Sequence, residues 1–375
     1  MDYRYVDLFL GINRFVVLAV FFLWIFILTL AFYKERSRKT YLRNLERVKK
    51  ISSGMCLVEN PDKGISRVKV TALKSKNKWK RIEALLVLGY AECSAPENVL
   101  REALFCADED VAYFSMLSLG QVKTRQAAVI LLDFLSAHVF SGYRIISLLE
   151  EFPAEIAPDV RRAAESEDAL SRFWAIKLLS RFPDRGTLSL LGKLAQDSSA
   201  DVRAAVCECL GVWGYAETRE TLVKALKDEA WFVRMHAVRS LYKIAGYECL
   251  PDIAPLIRDK SWLVKESVET IMSRHIDEVL PIISECLADY DDNSKFACVN
   301  ALVNSHHIAQ VLQDTLSLFP SQKEHAMELL GNLIKTKFYF GLKKNLGFFS
   351  PESRDKLLSI IAEFDNELAG RLRER

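Results

Sequence analysis

The sequence lacks the short motifs by which many catalytic and nucleotide-binding sites are recognised. It contains no HExxH, no P-loop, no G-x-S-x-G and no Gly-rich strand-to-helix fingerprint. The zinc proteases, P-loop enzymes, α/β-hydrolases and dinucleotide-binding enzymes are therefore excluded in their usual forms. Alternating apolar and polar residues, which are typical of strands, form no stretch of useful length. We expect an all-α protein that is not an enzyme, with no catalytic residue and no cofactor.

Metal-ligand motifs and paired cysteines are also missing. His275 and His306 occupy equivalent joints of neighbouring repeats and His307 follows, but equivalent residues of packed helical repeats lie about 10 Å apart, too far for one zinc ion. The eight cysteines form no CxxC pair and no regular disulfide framework. Most of them occupy apolar helical positions, so we expect reduced, buried thiols and no metal site.

One long segment, Phe15 to Tyr33, contains no charged residue. At about 1.5 Å per residue it reaches roughly 28 Å, which is enough to cross a hydrocarbon core. A cleaved signal peptide is the alternative, but the apolar run is too long for one and no small-x-small cleavage site follows. Residues 34–39 also have the charge of a stop-transfer flank. We predict one transmembrane helix at 15–33.

The residues after this segment are strongly basic. Residues 34–81 contain sixteen Lys or Arg and four Asp or Glu, although the whole chain has a net charge of only +2. By the positive-inside rule, residues 1–14 lie outside the inner (cytoplasmic) membrane and the C-terminal body lies in the cytoplasm. We expect a mainly helical juxtamembrane segment at 34–78, either solvated or in contact with anionic lipid. The acidic body beyond it should repel nucleic acid.

A helical repeat occupies residues 79–349. Nine units follow one another at intervals of 28 to 31 residues, and most carry a small or β-branched residue four positions after the unit start. An apolar residue stands eight positions after each start, on the same face of a helix, where a neighbouring helix can approach. This apolar series is Leu88, Leu119, Leu149, Leu179, Leu210, Leu241, Met272, Leu302 and Leu330.

Each unit contains a second amphipathic helix after a break at Gly, Pro or Asp. Two such helices per unit predict an α-solenoid of about nine helical pairs, with residues 350–375 as a C-terminal capping helix. Residues 54–64 form either a small hairpin or a loop between helices, and the loop is our expectation.

Three stretches, DVRAAVCECLG, FVRMHAVRSLY and WKRIEALLVLG, share a pattern close to V-R-x-x-A-x-x-x-L-G. This pattern resembles the HEAT-like repeats, especially the short bacterial form also found in bilin lyases, over residues 78–335. The motifs of ankyrin and tetratricopeptide repeats are not found. The resemblance implies a scaffold that binds protein. Anchored proteins of this kind resemble accessory subunits of membrane glycosyltransferases and surface-polysaccharide systems.

An acidic residue precedes a basic residue by six positions in four successive units. The resemblance implies that these charges form a ladder between neighbouring units, which holds the repeats in register. A phosphate or ligand role for the basic residues is the alternative. The predicted ladder consists of Asp197, Arg203, Asp228, Arg234, Asp259, Lys265, Asp289 and Lys295.

Aromatic residues recur at the unit starts and cluster near the C-terminus. Trp79, Trp231 and Trp262 stand at the start of a first helix, where they either pack into the joint, as we expect, or form an exposed recognition stripe. The segment from Lys337 to Phe349 either caps the last unit, as we expect, or presents a binding surface. The candidate partner-binding residues there are Phe338, Tyr339, Phe340, Lys343 and Lys344.

The predicted function is that of a membrane-anchored cytosolic scaffold or adaptor, which binds a protein partner through its HEAT-like repeats. One alternative is a HEAT-like-repeat enzyme tethered to the membrane, such as a lyase or a protein-modifying enzyme. Another is a self-associating structural protein. A deep polar pocket with converging titratable groups would favour the enzyme.

Overall fold

The structure is a computed structural model and describes residues 61–373, apart from 91–95, 138, 290, 338 and 339. For residues 61–65, 90, 289 and 340 it describes the main chain only. All regular structure in these residues is helical, as predicted. No helix among them is long and apolar enough to span a membrane. The predicted membrane helix at 15–33 and its flanks, 1–14 and 34–60, lie outside the described residues. The chain divides after Asp159 into two compact units, a division that the repeat pattern does not predict.

The first unit contains one helix that precedes the predicted repeats, then two complete helical pairs and the first helix of a third. Its helices are α1 Pro61–Lys74, α2 Lys78–Tyr90, α3 Glu97–Leu104, α4 Glu109–Val122, α5 Arg125–Phe134 and α6 Gly142–Leu149, and α7 Ala157–Ala163 crosses the division. The first helix α4 packs against α2 and α6, which are the first helices of the neighbouring repeats. It also contacts α3 and α5, so each repeat buries its apolar face on the next.

The second unit continues the same alternation. Its helices are α8 Ala169–Leu179, α9 Leu188–Leu194, α10 Ala200–Trp213, α11 Arg219–Ala225, α12 Trp231–Ala245, α13 Leu250–Ile253, α14 Trp262–Met272, α15 Ile276–Asp289, α16 Asp292–Asn304, α17 His307–Thr315, α18 Pro320–Lys335, α19 Phe340–Leu346, α20 Pro351–Phe364 and α21 Asn366–Arg373. The first helices α8, α10, α12, α14 and α16 pack in succession as a row. Several second helices open with a 3-10 turn, as at Ala216–Thr218 before α11.

The predicted apolar positions form the core of both units. All nine residues of the series from Leu88 to Leu330 are at most 1% exposed. The residues four positions after each unit start are buried as well, from Ala84 at 6% exposed to Val268 at 0%. The repeat pattern therefore selects the correct helix face in every unit.

Two glycines that directly follow core leucines, Gly89 after Leu88 and Gly211 after Leu210, allow adjacent first helices to approach closely. A Cβ atom at Gly211 in α10 would lie 2.5 Å from the Cβ of Ser240 in α12 and 2.9 Å from its Cα. In the first unit, a Cβ at Gly89 would lie 2.8 Å from the Cα of Ser118. Real Cβ atoms do not come so close to a backbone, so only glycine permits this helix spacing.

The C-terminal segment forms two helices where one capping helix is expected. Helix α20 ends at Phe364 because Asp365 takes an extended conformation. The Asp365 carboxylate accepts the N–H of Leu368 at 2.9 Å and so starts α21. The Phe364 ring covers Gly331 of α18, which places α20 against the last repeat.

Candidate functional site

Arginines at equivalent positions of successive first helices each hold the aspartate of the next repeat. Arg203 in α10 donates from Nε and Nη2 to the two carboxylate oxygens of Asp228, at 2.7 and 2.9 Å. Arg234 in α12 makes the same pair of bonds to Asp259, at 2.6 and 2.7 Å. Two parallel bonds between a guanidinium and a carboxylate fix both position and orientation. These pairs connect neighbouring repeats through residues 25 positions apart.

The six-residue spacing in the sequence reflects a different contact, to the main chain. Nη1 of Arg234 donates to the carbonyl of Asp228, six residues before it, at 2.7 Å. Nη1 of Arg203 donates in the same way to the carbonyl of Asp197 at 2.8 Å. Each arginine therefore closes the loop of its own repeat while it holds the carboxylate of the next. Arg172 in α8, which the acid-base spacing does not identify, belongs to this ladder because both of its bonds to Asp197 are 2.8 Å long.

The carboxylates of the ladder are buried yet ionised. The side chains of Arg234 and Asp259 are only 15% and 7% exposed. Burial alone would raise the pKa of Asp259, but hydrogen bonds from Arg234 and from the N–H of Ser261 stabilise the ionised form and lower its pKa below the usual 3.8. The pKa values of Asp197 and Asp228 are lowered by the same opposition between burial and hydrogen bonding.

These lowered pKa values predict a loss of stability in acid. Below the usual pKa of 3.8, these aspartates are mostly protonated in the unfolded chain but are still ionised in the folded protein. The free energy of unfolding therefore stays constant near neutral pH, falls once the pH drops below about 4, and continues to fall to the folded pKa values. Urea unfolding between pH 3 and pH 7 measures this slope. The Asp228→Asn variant should show a shallower slope, and an equal slope would contradict the assignment.

At the last described step of the ladder, the basic residue is Lys265 and its acidic neighbour is Asp291. Nζ of Lys265 in α14 lies 3.8 Å from Oδ1 of Asp291 and 3.4 Å from Oγ of Ser294. Asp291 also caps α16, where it accepts the N–H groups of Asn293 and Ser294, and this role places its carboxylate beside the lysine. The side chain of Asp289, which is the predicted member, lies outside the described residues. Lys295 is partly exposed on α16.

A second row of ion pairs joins the second helices of neighbouring repeats. No recurring sequence motif predicts this row. The basic residue of each of these three pairs precedes its acidic partner by 32 to 34 positions, about one repeat. The pairs are Arg125–Asp159 at 2.6 Å in the first unit, and Arg185–Glu217 at 3.4 Å and Arg219–Asp252 at 3.0 Å in the second.

Two of the unit-start tryptophans are exposed, so the expectation that they pack into the joints is wrong. Trp231 and Trp262 are 41% and 68% exposed. Each is the first residue of its helix and precedes a fully buried valine, Val233 or Val264, by two positions. Two positions correspond to about 200° around a helix, so the tryptophan must point away from the core. Trp79 in the first unit is only partly buried.

The histidines have individual contacts. Nε2 of His275 lies 2.9 Å from the hydroxyl of Tyr242, and Nδ1 of His307 lies 3.8 Å from a carboxylate oxygen of Asp277. His306 has a positive φ of 59° at the start of α17. Within the described part of the chain, no group of three or more His, Cys, Asp or Glu could hold a metal ion.

The sulfur atoms of Cys286 in α15 and Cys298 in α16 lie next to each other; the expectation of reduced thiols stays a prediction. The two cysteines lie on the second helix of one repeat and the first helix of the next, which pack against each other, a proximity that their spacing in the sequence does not reveal. Cys207 and Cys209 are free and buried. Burial raises the pKa of each to about 12, which makes them unreactive. Cys56 and Cys93 lie outside the described residues.

The candidate partner-binding tail is described only in part. Phe338 and Tyr339, together with the side chain of Phe340, lie outside the described residues. Lys343 and Lys344 are exposed on α19. The opposite face of α19 is buried, since Gly341 fits against Ile308 and Val303 and α19 packs against α17.

Comparisons with known proteins find solved structures of low sequence identity and low TM-score. Among curated proteins no match is found. An engineered protein shares 14% identity with a TM-score of 0.37, covering 80% of this chain and 98% of its own. The E. coli protein YIBA shares 18% identity with a TM-score of 0.36, covering 76% and 96%. The karyopherin Kap121p bound to the SUMO protease Ulp1p shares 14% identity with a TM-score of 0.44, and this chain spans 43% of its length.

The family comparison concerns the part of the chain that carries the ladder. A family model described as HEAT repeats matches residues 188–272, which are the residues from the start of α9 to the end of α14. This match covers two of the three stretches that share the sequence pattern. Helices α9 to α14 are therefore similar to HEAT repeats.

Proposed function

We propose that this chain is a membrane-anchored scaffold that binds a protein partner through its helical repeats and carries out no chemistry of its own. One observation supports the proposal most directly. The arginines of the ladder are hydrogen-bonded to the aspartates and to loop carbonyls, while large aromatic side chains at the unit starts are exposed. Exposed tryptophans on a rigid surface are typical of protein recognition.

The anchor belongs to the proposal on the strength of the sequence. The apolar segment at 15–33 would cross the inner membrane, and the basic residues after it would keep the repeats in the cytoplasm. Anchoring confines the scaffold and its partner to one surface and so raises their effective concentration. The resemblance to anchored HEAT-like accessory subunits extends the proposal to a membrane glycosyltransferase of a surface-polysaccharide system as the partner.

Fractionation tests the anchor. The full chain should remain in the membrane pellet after alkaline carbonate extraction, because a transmembrane helix is not released by changes of charge. A variant lacking residues 1–50 should appear in the supernatant. If the full chain is extracted as readily as the shortened variant, the anchor is disproved.

Photo-crosslinking in intact cells tests the scaffold. A photoreactive phenylalanine analogue in place of Trp231 should give one dominant adduct with a membrane protein. The same analogue in place of Tyr247, which is 59% exposed near the start of a second helix, serves as the matched control. The absence of any adduct specific to position 231 would contradict binding through the exposed aromatic residues.

A further inference from the structure

A cleft of about 450 Å³ lies between the first helices α14 and α16 of the second unit. Residues spaced by three or four positions face it from each helix, which places them as two stripes on opposite walls. The residues that line it are Lys260, which precedes α14, Trp262, Lys265, Glu266 and Glu269 from α14, and Asn293, Phe296, Ala297 and Asn300 from α16. The cleft therefore combines aromatic, acidic, basic and amide groups.

The aromatic groups of the cleft lie nearer the solvent, and the carboxylate of Glu269 lies deeper. Trp262 and Phe296 are 68% and 43% exposed, whereas Glu269 is partly buried. Oε1 of Glu269 accepts a hydrogen bond from Nδ2 of Asn304 at 3.0 Å, which fixes the carboxylate. Trp262 and Glu269 are two helical turns apart, or about 10 Å along α14.

No cation of the described chain neutralises Glu269. Burial raises the pKa of Glu269 and Glu266 raises it further, while hydrogen bonds from Asn300 and Asn304 oppose them; no lysine or arginine is among the groups that shift it. Lys260 and Lys265 also line the cleft, but neither pairs with Glu269. Lys260 is exposed, and Nζ of Lys265 lies beside Ser294 and Asp291 of the ladder. A partly buried carboxylate without a counterion favours a ligand that supplies the positive charge.

We propose that this cleft receives a lysine or arginine side chain of the partner protein. The cationic group would reach Glu269, and the aliphatic stem would lie between Trp262 and Phe296. Charge-assisted hydrogen bonds to a fixed carboxylate and contact of a cation with an aromatic face both favour such a side chain. A neutral side chain would leave the carboxylate unpaired, and an acidic one would be repelled. This inference rests on the proposed scaffold function and names the chemistry of the partner.

Ligand-observed saturation-transfer NMR with the full-length chain tests the proposal. The probes are four acetylated and amidated pentapeptides, Gly-Ser-X-Ser-Gly, in which X is arginine, lysine, citrulline or glutamate. Citrulline has the shape of arginine without its charge. The arginine and lysine peptides should bind, and the citrulline peptide should bind at least about tenfold more weakly, because a hydrogen bond to a charged group contributes about 1.5–3 kcal/mol. Equal binding of arginine and citrulline peptides would overturn the proposal.

Two substitutions assign the binding to the cleft. Glu269→Gln keeps the shape of the side chain and should weaken the arginine peptide about tenfold, since it removes only the charge. Trp262→Ala alters an exposed residue, so folding should be preserved, and should weaken binding about threefold. The matched controls are Tyr143→Ala, at an aromatic residue of α6 that is 68% exposed like Trp262, and Glu363→Gln on an exposed site of α20. Equal effects of the controls and the cleft variants would disprove the site.

The result can be separated from that of the scaffold test. If the peptides do not distinguish arginine from citrulline while the position-231 adduct forms, the scaffold proposal stands and the cleft assignment fails. If the peptides bind as expected but no adduct forms at position 231, the cleft binds cations and the scaffold proposal fails in its present form.

Discussion

The Asp259→Ala variant is expected to unfold with a free energy about 3 kcal/mol lower than that of the natural chain, because it removes one partner of a buried ion pair. The substitution leaves two donor groups of Arg234, Nε and Nη2, without their carboxylate acceptor in a side chain that is 15% exposed. It also removes the acceptor for the N–H of Ser261, where α14 begins. Chemical denaturation followed by circular dichroism measures the change.

Two further variants separate the charge from the hydrogen bonds in this prediction. Asp259→Asn can still accept the N–H of Ser261, so it should be more stable than Asp259→Ala but less stable than the natural chain. Lys356→Ala removes one partner of an exposed pair with Glu352, whose side chains are 64% and 81% exposed, and should leave stability almost unchanged. An Asp259→Ala variant as stable as Lys356→Ala would show that the ladder does not hold the repeats together.

The Gly211→Ala variant is expected to lose about 2–3 kcal/mol, although alanine is the better helix former. A Cβ at this position would lie 2.5 Å from the Cβ of Ser240 and 2.9 Å from its Cα, so α10 and α12 must separate. Forcing extra atoms into a closely packed interface typically costs about 1–3 kcal/mol. Because each repeat contacts only its neighbours, amide exchange should increase most in α10 and α12.

A second glycine provides the control with the opposite sign. Gly192 lies in α9, and a Cβ there would meet no atom within 4 Å. Gly192→Ala should therefore stabilise the protein by up to about 1 kcal/mol through helix propensity and the lower entropy of the unfolded chain. Adding Ser240→Gly to Gly211→Ala should restore part of the loss, because the clashing Cβ and hydroxyl are removed. If Gly211→Ala is as stable as Gly192→Ala, the two helices are not in close contact at this point.

Much of the fold can be predicted from the sequence because the same pattern recurs in every repeat, so each assignment is supported several times. A single leucine eight positions after a helix start indicates little, but nine in the same frame identify one buried face, and all of them are buried. The six-residue spacing between Asp228 and Arg234 is also real, although it marks a contact with a main-chain carbonyl. Local periodicity is sufficient for these features because a helix places residues at fixed angles.

The parts that could not be predicted depend on neighbours that are distant in the sequence. The pairing of Arg219 with Asp252 requires two second helices to lie at a particular distance and orientation, which no local pattern determines. Cys286 and Cys298 meet only because α15 folds back onto α16. The cleft next to Glu269 is lined from both α14 and α16, so it depends on how these two helices pack.

The sequence by itself determined the helical repeat, its period and its buried face, since these follow from the order of apolar residues along each helix. Only the tertiary structure decided which carboxylate each arginine holds, that Trp231 and Trp262 face the solvent, and that Glu269 lies in a cleft where no described lysine or arginine pairs with it. The reason is physical. Burial of an apolar face requires only the correct spacing along one helix, whereas an ion pair or a cleft requires two helices at a particular distance and rotation.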